Sequence, residues 1–466
     1  MSMPSTNIMQ LQKLRPLGAL EQFSSARHHL GFYNNVGLSA AYVCPTLRLA
    51  DLKATIFCAL AIVIHRHPAL SAIVLDEDSN EPYFARLPEI NLEDAVTFVT
   101  RQEPVAASGR DVELDNILET QHNTPFKEGH GTLPYWRLLI VTSPETEKEF
   151  VASFIFHHSL GDGASGMVFH RDFVAALSSN PPPLTSAIVL PANTPLLPNL
   201  EALLPFATPP VSTSPNPTNL WSGSNIIPPT RSNFHSLTFS AKNTNHLLQA
   251  CKLHGTTLTS TLPVLIASAL FSILPDTFNS LECTIPVSLR RFLPEPVNES
   301  VIGVYLDAFS AYYDRTPEAH FPWLEAQRSR GLINDYLKTN GEKINVAKFK
   351  QIRDMRAFFL GRVGKERGTS FDVSNLGIMK IEPEEKETWK MGKVVFSRSA
   401  FVSGSAIAAG IVTGADGCLT LGFCWQEGVV ERGVVEMVVE NVRVMIESIS
   451  EEMRGEDGMK VEEATR

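Results

Sequence analysis

Thirteen of the 31 prolines in this 466-residue chain fall between Pro181 and Thr230, among dense Ser and Thr. Proline lacks a backbone N–H and fixes φ, so this density excludes a regular helix or a central strand there. A chain of this length also exceeds what one hydrophobic core usually serves. The expected organisation is a first unit over residues 1–180, a Pro-rich stretch over 181–230, read plainly as a linker, and a second unit over 231–466.

Each half carries the patterns of a mixed α/β unit. In the first, Leu14 to Leu30 reads as an amphipathic helix with Leu17, Leu20, Phe23 and Leu30 as its apolar positions. Asn34 to Val43 reads as a strand, and Leu49 to His67 as a helix that ends ahead of Pro68. Ser71 to Leu75, Pro82 to Leu87 and Pro134 to Val141 read as strands, and Asp94 to Gly131 has no clear period. In the second half, strands are expected over Phe234–Phe239 and Cys283–Leu289, with a hairpin over Ala406–Thr413 and Cys418–Gln426, while Phe371–Gly377 reads plainly as a polar turn ending a strand. Helices are expected over Asn245–Leu253, Thr259–Leu274, Trp323–Leu337, Val346–Leu360 and Val434–Ile449. The last has Val434, Met437, Val438, Val442, Met445 and Ile446 on its core face.

The chemistry concentrates where a strand meets a helix. Phe150 to Phe156 is apolar and aromatic-rich, the pattern of a buried strand. Apolar residues recur at helical spacing from Ala164 to Leu177. Between them stands His157-His158-Ser159-Leu160-Gly161-Asp162-Gly163, a turn whose glycines relax the backbone. Strand alternation sends His157 and His158 to opposite faces, so only one faces a given cleft. An imidazole, with an ordinary pKa of about 6.5, is suited to removing a proton near neutrality. A hydroxyl is roughly as weak an acid as water, about 15.7, and attacks a carbonyl slowly unless its proton leaves during the attack. His158 is therefore the candidate general base. Asp162 either orients the ring or holds the loop by pairing with a distant arginine, and the spacing favours the second.

Other readings compete for the same residues. A buried turn with a satisfied histidine pair needs no function. A metal site has suitable ligand types, but no further His/Cys/Glu cluster stands at ligand spacing. Gly161-Asp162-Gly163-Ala164-Ser165-Gly166 fits G-x-G-x-x-G and would make the chain a nicotinamide-dependent oxidoreductase. That fingerprint needs an acid about 20 residues on, and no Asp or Glu occurs between Asp172 and Glu201. The nucleophile-elbow pattern G-x-S-x-G fails at Met167.

The segment His157 to Gly163 resembles the HHxxxDG motif of the acyltransferase superfamily that includes chloramphenicol acetyltransferase, plant BAHD acyltransferases and peptide-synthetase condensation domains. Within it the chain most resembles fungal alcohol O-acetyltransferases, over nearly its whole length. His65-Arg66-His67-Pro68-Ala69-Leu70 is similar to the superfamily's helix-ending His-Pro-x-Leu. Pro286 to Arg290 is similar to its Pro-Val-x-Leu-Arg segment, and Ile302-Gly303-Val304-Tyr305-Leu306 resembles a strand of condensation domains. The Asp-Phe-Gly-Trp-Gly motif of plant relatives is absent.

The resemblance implies an α/β fold of two chloramphenicol-acetyltransferase-like mixed-sheet subdomains, joined by a surface crossover, with the active site in a tunnel at their interface. It implies His158 as catalytic base, Asp162 as structural aspartate beside Gly163, His157 as support, and Arg290 as the partner of Asp162. Phe371-Asp372-Val373-Ser374-Asn375-Leu376-Gly377 looks like the Ser-Asn-x-Gly segment of fungal alcohol acetyltransferases. There Ser374 or Asn375 could donate a hydrogen bond to a developing oxyanion. The expected reaction is transfer of acetyl from acetyl-CoA to a hydroxyl of a small alcohol or secondary metabolite, without metal or permanently bound cofactor. Amide formation from carrier-protein thioesters is the alternative within the superfamily. The basic groups Lys348, Lys350, Arg353 and Arg356, and Arg362, Lys365 and Arg367, are candidates for CoA phosphates.

A net charge of −10 argues against a nucleic-acid partner. The six cysteines form no C-x-x-C pair and fit free thiols in a reducing compartment. With no apolar run near 18 residues and a polar stretch from Met1 to Gln12, a cytoplasmic monomer is expected.

Overall fold

The computed structural model describes residues 8–104, 108–144, 146, 148–179, 181–204, 219–316, 321–381 and 389–464. Two mixed sheets dominate it. A five-stranded sheet runs in the order Lys390–Arg398, Val36–Val43, Glu149–Phe156, Trp136–Thr142, Val96–Thr100. A six-stranded sheet runs Ser232–Phe239, Leu419–Gln426, Ile407–Thr413, Phe371–Ile378, Ser280–Ser288, Leu306–Asp314. A small sheet of Gln12–Pro16, Tyr83–Arg86 and Ala72–Leu75 flanks the first.

The lobes are tied by strand exchange. Lys390–Arg398 follows the Phe371–Ile378 strand of the second sheet, yet pairs with Val36–Val43 of the first, Phe396 opposite Leu38. It crosses the second sheet where Gly410 and Gly422 face each other on paired strands. A Cβ on Gly410 would stand 2.9 Å from the Phe396 carbonyl oxygen, and one on Gly422 would also collide with that atom. Glycine at both positions permits the close approach.

The strand Glu149–Phe156 sits near the middle of its sheet and is buried from Phe150 onward. Its register puts Phe156 opposite both Val36 and Trp136. The helix Gly163–Ser178 packs back on it, with the Phe154 and Phe169 rings stacked at 3.8 Å between centroids. Burying a side chain of that size contributes about 1.5–3 kcal/mol, so this pair fixes helix on strand and with them the turn between.

Several expectations need correction. Leu14 to Pro16 belongs to an edge strand and the helix is Ala19–His29, since Pro16 suits an edge and Glu21 accepts from the Gly18 N–H to start the helix. Asp94 to Gly131, for which the pattern sets no expectation, contains the strand Val96–Thr100 and the helix Val112–His122, N-capped by Asp111. Val346–Leu360 divides into a 3-10 turn, Asn345–Gln351, and a short helix, Met355–Leu360, whose Asp354 caps Arg356 and Ala357. The final helix is Arg432–Ala464 and buries Val435, Val438, Val439, Val442, Ile446 and Ile449, leaving Met437 exposed. The next described strand after Gly163–Ser178 is Ile188–Val189, antiparallel to Ile90–Asn91 rather than parallel in the same sheet, so the dinucleotide-binding reading fails. Part of the Pro-rich stretch, residues 205–218, lies outside the described residues. No single described helix is long and apolar enough to cross a membrane.

Candidate active site

Asp162 caps the helix Gly163–Ser178, its Oδ1 accepting from the Ser165 N–H at 3.1 Å. The same carboxylate takes two hydrogen bonds from Arg290, Nη1 to Oδ2 at 2.8 Å and Nη2 to Oδ1 at 2.9 Å. The Tyr305 N–H adds a bond to Oδ2 at 3.0 Å. Both partners are buried. Burial pushes the Asp162 carboxyl up, but the Arg290 charge and the bonds together outweigh it and hold the group below its ordinary range.

Arg290 stands just past the strand Ser280–Ser288 of the other lobe, so one ion pair locks the histidine turn across the interface. It also explains why Ile302 to Tyr305 is not a strand. Gly303 gives its carbonyl to Arg290 at 2.9 Å and its N–H to Ser165 Oγ at 3.2 Å, and Tyr305 gives its N–H to Asp162. The clamp consumes groups a ladder would need.

The two histidines have opposite fates. His157 is sealed, packed against Tyr135 and His28 with ring centroids at 4.8 and 4.3 Å. Its Nδ1 accepts from the Ser159 N–H at 3.0 Å, and burial holds it neutral, well below 6.5. His158 keeps part of its ring open. Its Nδ1 is buried without a side-chain partner, which leaves Nε2 as the accessible nitrogen. Burial and then the nearby Arg27 cation push its pKa down, against the opposing pull of its own backbone carbonyl and of Asp162. At neutral pH it is an unprotonated imidazole.

His28, Glu77 and His157 bring ligand-type atoms within 4.8 Å of one another. The His28 Nε2 accepts from the Phe126 N–H at 3.0 Å, as the His157 Nδ1 does from Ser159. Each neutral ring then carries its proton on the other nitrogen, and those nitrogens are the buried, unpartnered His28 Nδ1 and His157 Nε2. The two rings thus offer hydrogen-bond donors rather than metal-binding lone pairs, which leaves Glu77 as the one ligating group of the three.

Ser374 and Asn375 separate as clearly. On the strand Phe371–Ile378, Asp372, Ser374 and Leu376 share a face. Asp372 pairs with Arg398, whose charge reaches His158, and Leu376 lies against Gly163. Ser374 therefore faces the histidine turn, half-buried. Asn375 points away, its amide donating to Thr259 Oγ1 at 3.0 Å and its carbonyl accepting from the Gly377 N–H.

Of the basic candidates, Arg367 is buried and spends its guanidinium on the Ser224, Phe401 and Gly404 carbonyls and on Gln426. Arg362 is half-buried over the Phe358 ring, Lys365 is exposed, and Arg356 donates to the Asp78 carbonyl. Lys348, Lys350 and Arg353 are exposed on the broken 346–360 segment. A different basic surface lies near the motif. A cavity of about 260 Å³ touches Ser159, Leu160 and Tyr305 and adjoins one of about 1090 Å³ at Arg66 and Ser300. The larger one is lined by Arg171, Lys380 and Lys390, with Asp172 the acid among them.

The sequence reading missed Arg27 and Tyr33, whose ring lies 5.8 Å from that of His158. Arg27 had a signal: Leu20, Phe23, Arg27 and Leu30 follow helical spacing, so the arginine sits on the apolar stripe.

Two mixed sheets joined by a strand that crosses between them, with a histidine turn clamped from the opposite lobe, form the two-subdomain α/β fold that the resemblance to chloramphenicol acetyltransferase implies. Among solved structures the chain is similar to the trichothecene 15-O-acetyltransferase TRI3 of Fusarium sporotrichioides, at a TM-score of 0.70 and 14% identity, covering 94% of each chain. It is likewise similar to the first condensation domain of the CDA synthetase, at 0.62 and 13%, covering 93% of this chain and 96% of that one. A family model for alcohol acetyltransferases matches residues 16–181 and 218–439, and the chain belongs to that family. It is 40% identical over 452 residues to the probable alcohol acetyltransferase crmB of Aspergillus fumigatus, covering 91% of this chain and 97% of that one. The probable alcohol acetyltransferase FCK4 of Fusarium pseudograminearum is 24% identical, covering 94% and 96%. The protein is thus an enzyme that transfers an acyl group to a hydroxyl.

Proposed function

We propose that the enzyme transfers acetyl from acetyl-CoA to the hydroxyl of a small alcohol or secondary metabolite, with His158 as general base. The observation that carries this is the open Nε2 of a neutral His158 on a turn that Asp162 and Arg290 hold rigid across the lobes. Nε2 takes the hydroxyl proton as the oxygen adds to the thioester carbonyl carbon. The carbonyl oxygen becomes an oxyanion, for which the free hydroxyl of Ser374 is the assigned donor. Collapse breaks the C–S bond, and the thiolate leaves with the proton that His158 held. No acyl-enzyme forms.

The donor's phosphates are assigned to Arg66, Arg171, Lys380 and Lys390 along the larger cavity, with the acyl arm reaching the motif through the smaller one. The cysteines are free thiols, which supports a reducing, cytoplasmic setting, and we assign the working form as a monomer.

The test is thiol release from acetyl-CoA over a panel of alcohols and amines. His158→Ala is expected to lower the rate at least about 10²-fold while leaving the thermal midpoint near wild type. Unchanged turnover in that variant would end the base assignment, and turnover of amines alone would favour amide formation.

A further inference from the structure

Arg27 is a buried cation that no acid neutralises among the described residues. It is 7% exposed. Its guanidinium lies 4.1 Å from the Tyr33 ring centroid, 5.0 Å from that of Phe401 and 5.2 Å from that of Phe23. Its Nε is sealed without a hydrogen-bond partner, and among the described residues neither terminal nitrogen makes an ion pair or hydrogen bond. The contrast with its neighbours is sharp. Arg290 has Asp162 and Arg398 has Asp372. Aromatic faces attract a cation, but they replace only part of what water and a counter-charge supply.

The place of this cation narrows what completes it. Its charge is the strongest charge effect on His158, and Tyr33 bridges the two, in contact with Arg27 on one side and 5.8 Å from the His158 ring. The Tyr33 hydroxyl also makes no hydrogen bond within the described residues and is not sealed. Whatever meets Arg27 therefore lies beside the reacting atoms. The CoA phosphates sit at the far end of a long uncharged arm, and an acetyl group is neutral. The reaction's oxyanion is transient, so an anion resident there before the attack comes from the acceptor.

We propose that Arg27, with the Tyr33 hydroxyl beside it, binds an anionic group, a carboxylate in the first instance, carried by the acceptor alcohol. The preferred acceptor is then a hydroxy acid, its acid end held in the Phe23, Tyr33 and Phe401 cage and its hydroxyl presented to His158. The assignment rests on the acetyl-transfer reading for the hydroxyl's role, but the anion site stands on its own geometry.

Binding tests it without turnover. The full chain carrying His158→Ala is titrated with benzoate and hexanoate against benzamide and hexanamide, which match them in shape without the charge, following tryptophan fluorescence and the thermal midpoint. Carboxylates are expected to bind at least about tenfold more tightly, roughly 1.4 kcal/mol. That preference should vanish in Arg27→Gln and in Arg27→Met, the latter covering the case in which glutamine misfolds. With the wild-type enzyme, mandelate and 6-hydroxyhexanoate are compared with their methyl esters as acceptors, and succinyl-CoA with acetyl-CoA as donor. The acid-to-ester ratio of kcat/KM should exceed one and fall toward one in Arg27→Gln, with no preference for the succinyl donor.

Equal binding of acids and amides, or no binding by any acid, overturns the proposal. So does an equal loss on acid and ester in Arg27→Gln, which would move Arg27 to the oxyanion, and so does an Arg27-dependent preference for succinyl-CoA. Carboxylate binding without acetyl transfer to any alcohol would instead count against the His158 reading.

Discussion

Replacing Asp162 with alanine should cost far more stability than its size suggests. The substitution removes the acceptor for two Arg290 bonds, the Tyr305 N–H and the Ser165 N–H. It leaves a buried guanidinium without its counter-charge. Breaking one side of a buried pair costs about 3–5 kcal/mol, and loss of a helix cap alone about 1. These losses share one carboxylate and do not add, so the expected total is about 3–5 kcal/mol, against a typical stability of about 5–15. Arg290→Met should cost a similar amount. The double variant should be destabilised by less than the sum of the singles, with a coupling of about 2–3 kcal/mol. It should not return to wild type, because the Tyr305 N–H remains without an acceptor and the Ser165 N–H keeps only the residue 162 carbonyl. Urea unfolding at pH 7 measures the cycle. Asp162 has a depressed pKa, so its contribution is present above the unfolded value of about 3.9 and is lost as pH falls through the folded value. The gap between wild type and Asp162→Ala should therefore narrow in acid. A single-variant cost below about 1 kcal/mol, or strict additivity, would refute the clamp.

Three further outcomes follow from the same geometry. Because burial and Arg27 depress His158, the acid limb of kcat/KM should lie below pH 6.5, with activity lost only as falling pH protonates the ring; a limb at or above 6.5 would show the imidazole more solvated than described. Ser374→Ala should lower kcat about 10²–10³-fold, whereas Asn375→Ala should lower the thermal midpoint through its lost bonds to Thr259 and Gly377; equal kinetic effects from both would remove the distinction between them. Lys390→Glu should raise the KM for acetyl-CoA severalfold, less so in high salt, and an unchanged KM would place the phosphates elsewhere.

What the amino-acid order alone determined was local. The apolar run into His157, the glycines around Asp162 and the helical spacing after them specify strand, turn and helix because backbone sterics and side-chain period act over a few residues. The proline-dense stretch excludes a long helix or a central strand for the same reason. Motif likeness extended this to Arg290, 128 positions from its carboxylate. Tertiary structure decided the rest. That Lys390–Arg398 would join the other lobe's sheet depends on paired glycines clearing its path, and that Ile302 to Tyr305 would serve the clamp depends on where Arg290 and Ser165 arrive. Whether an arginine on the apolar stripe of a helix meets an acid or is walled in by Phe23, Tyr33 and Phe401 is likewise set by what folds over it. Burial and charge pairing are properties of the assembled space, which no short window of sequence contains.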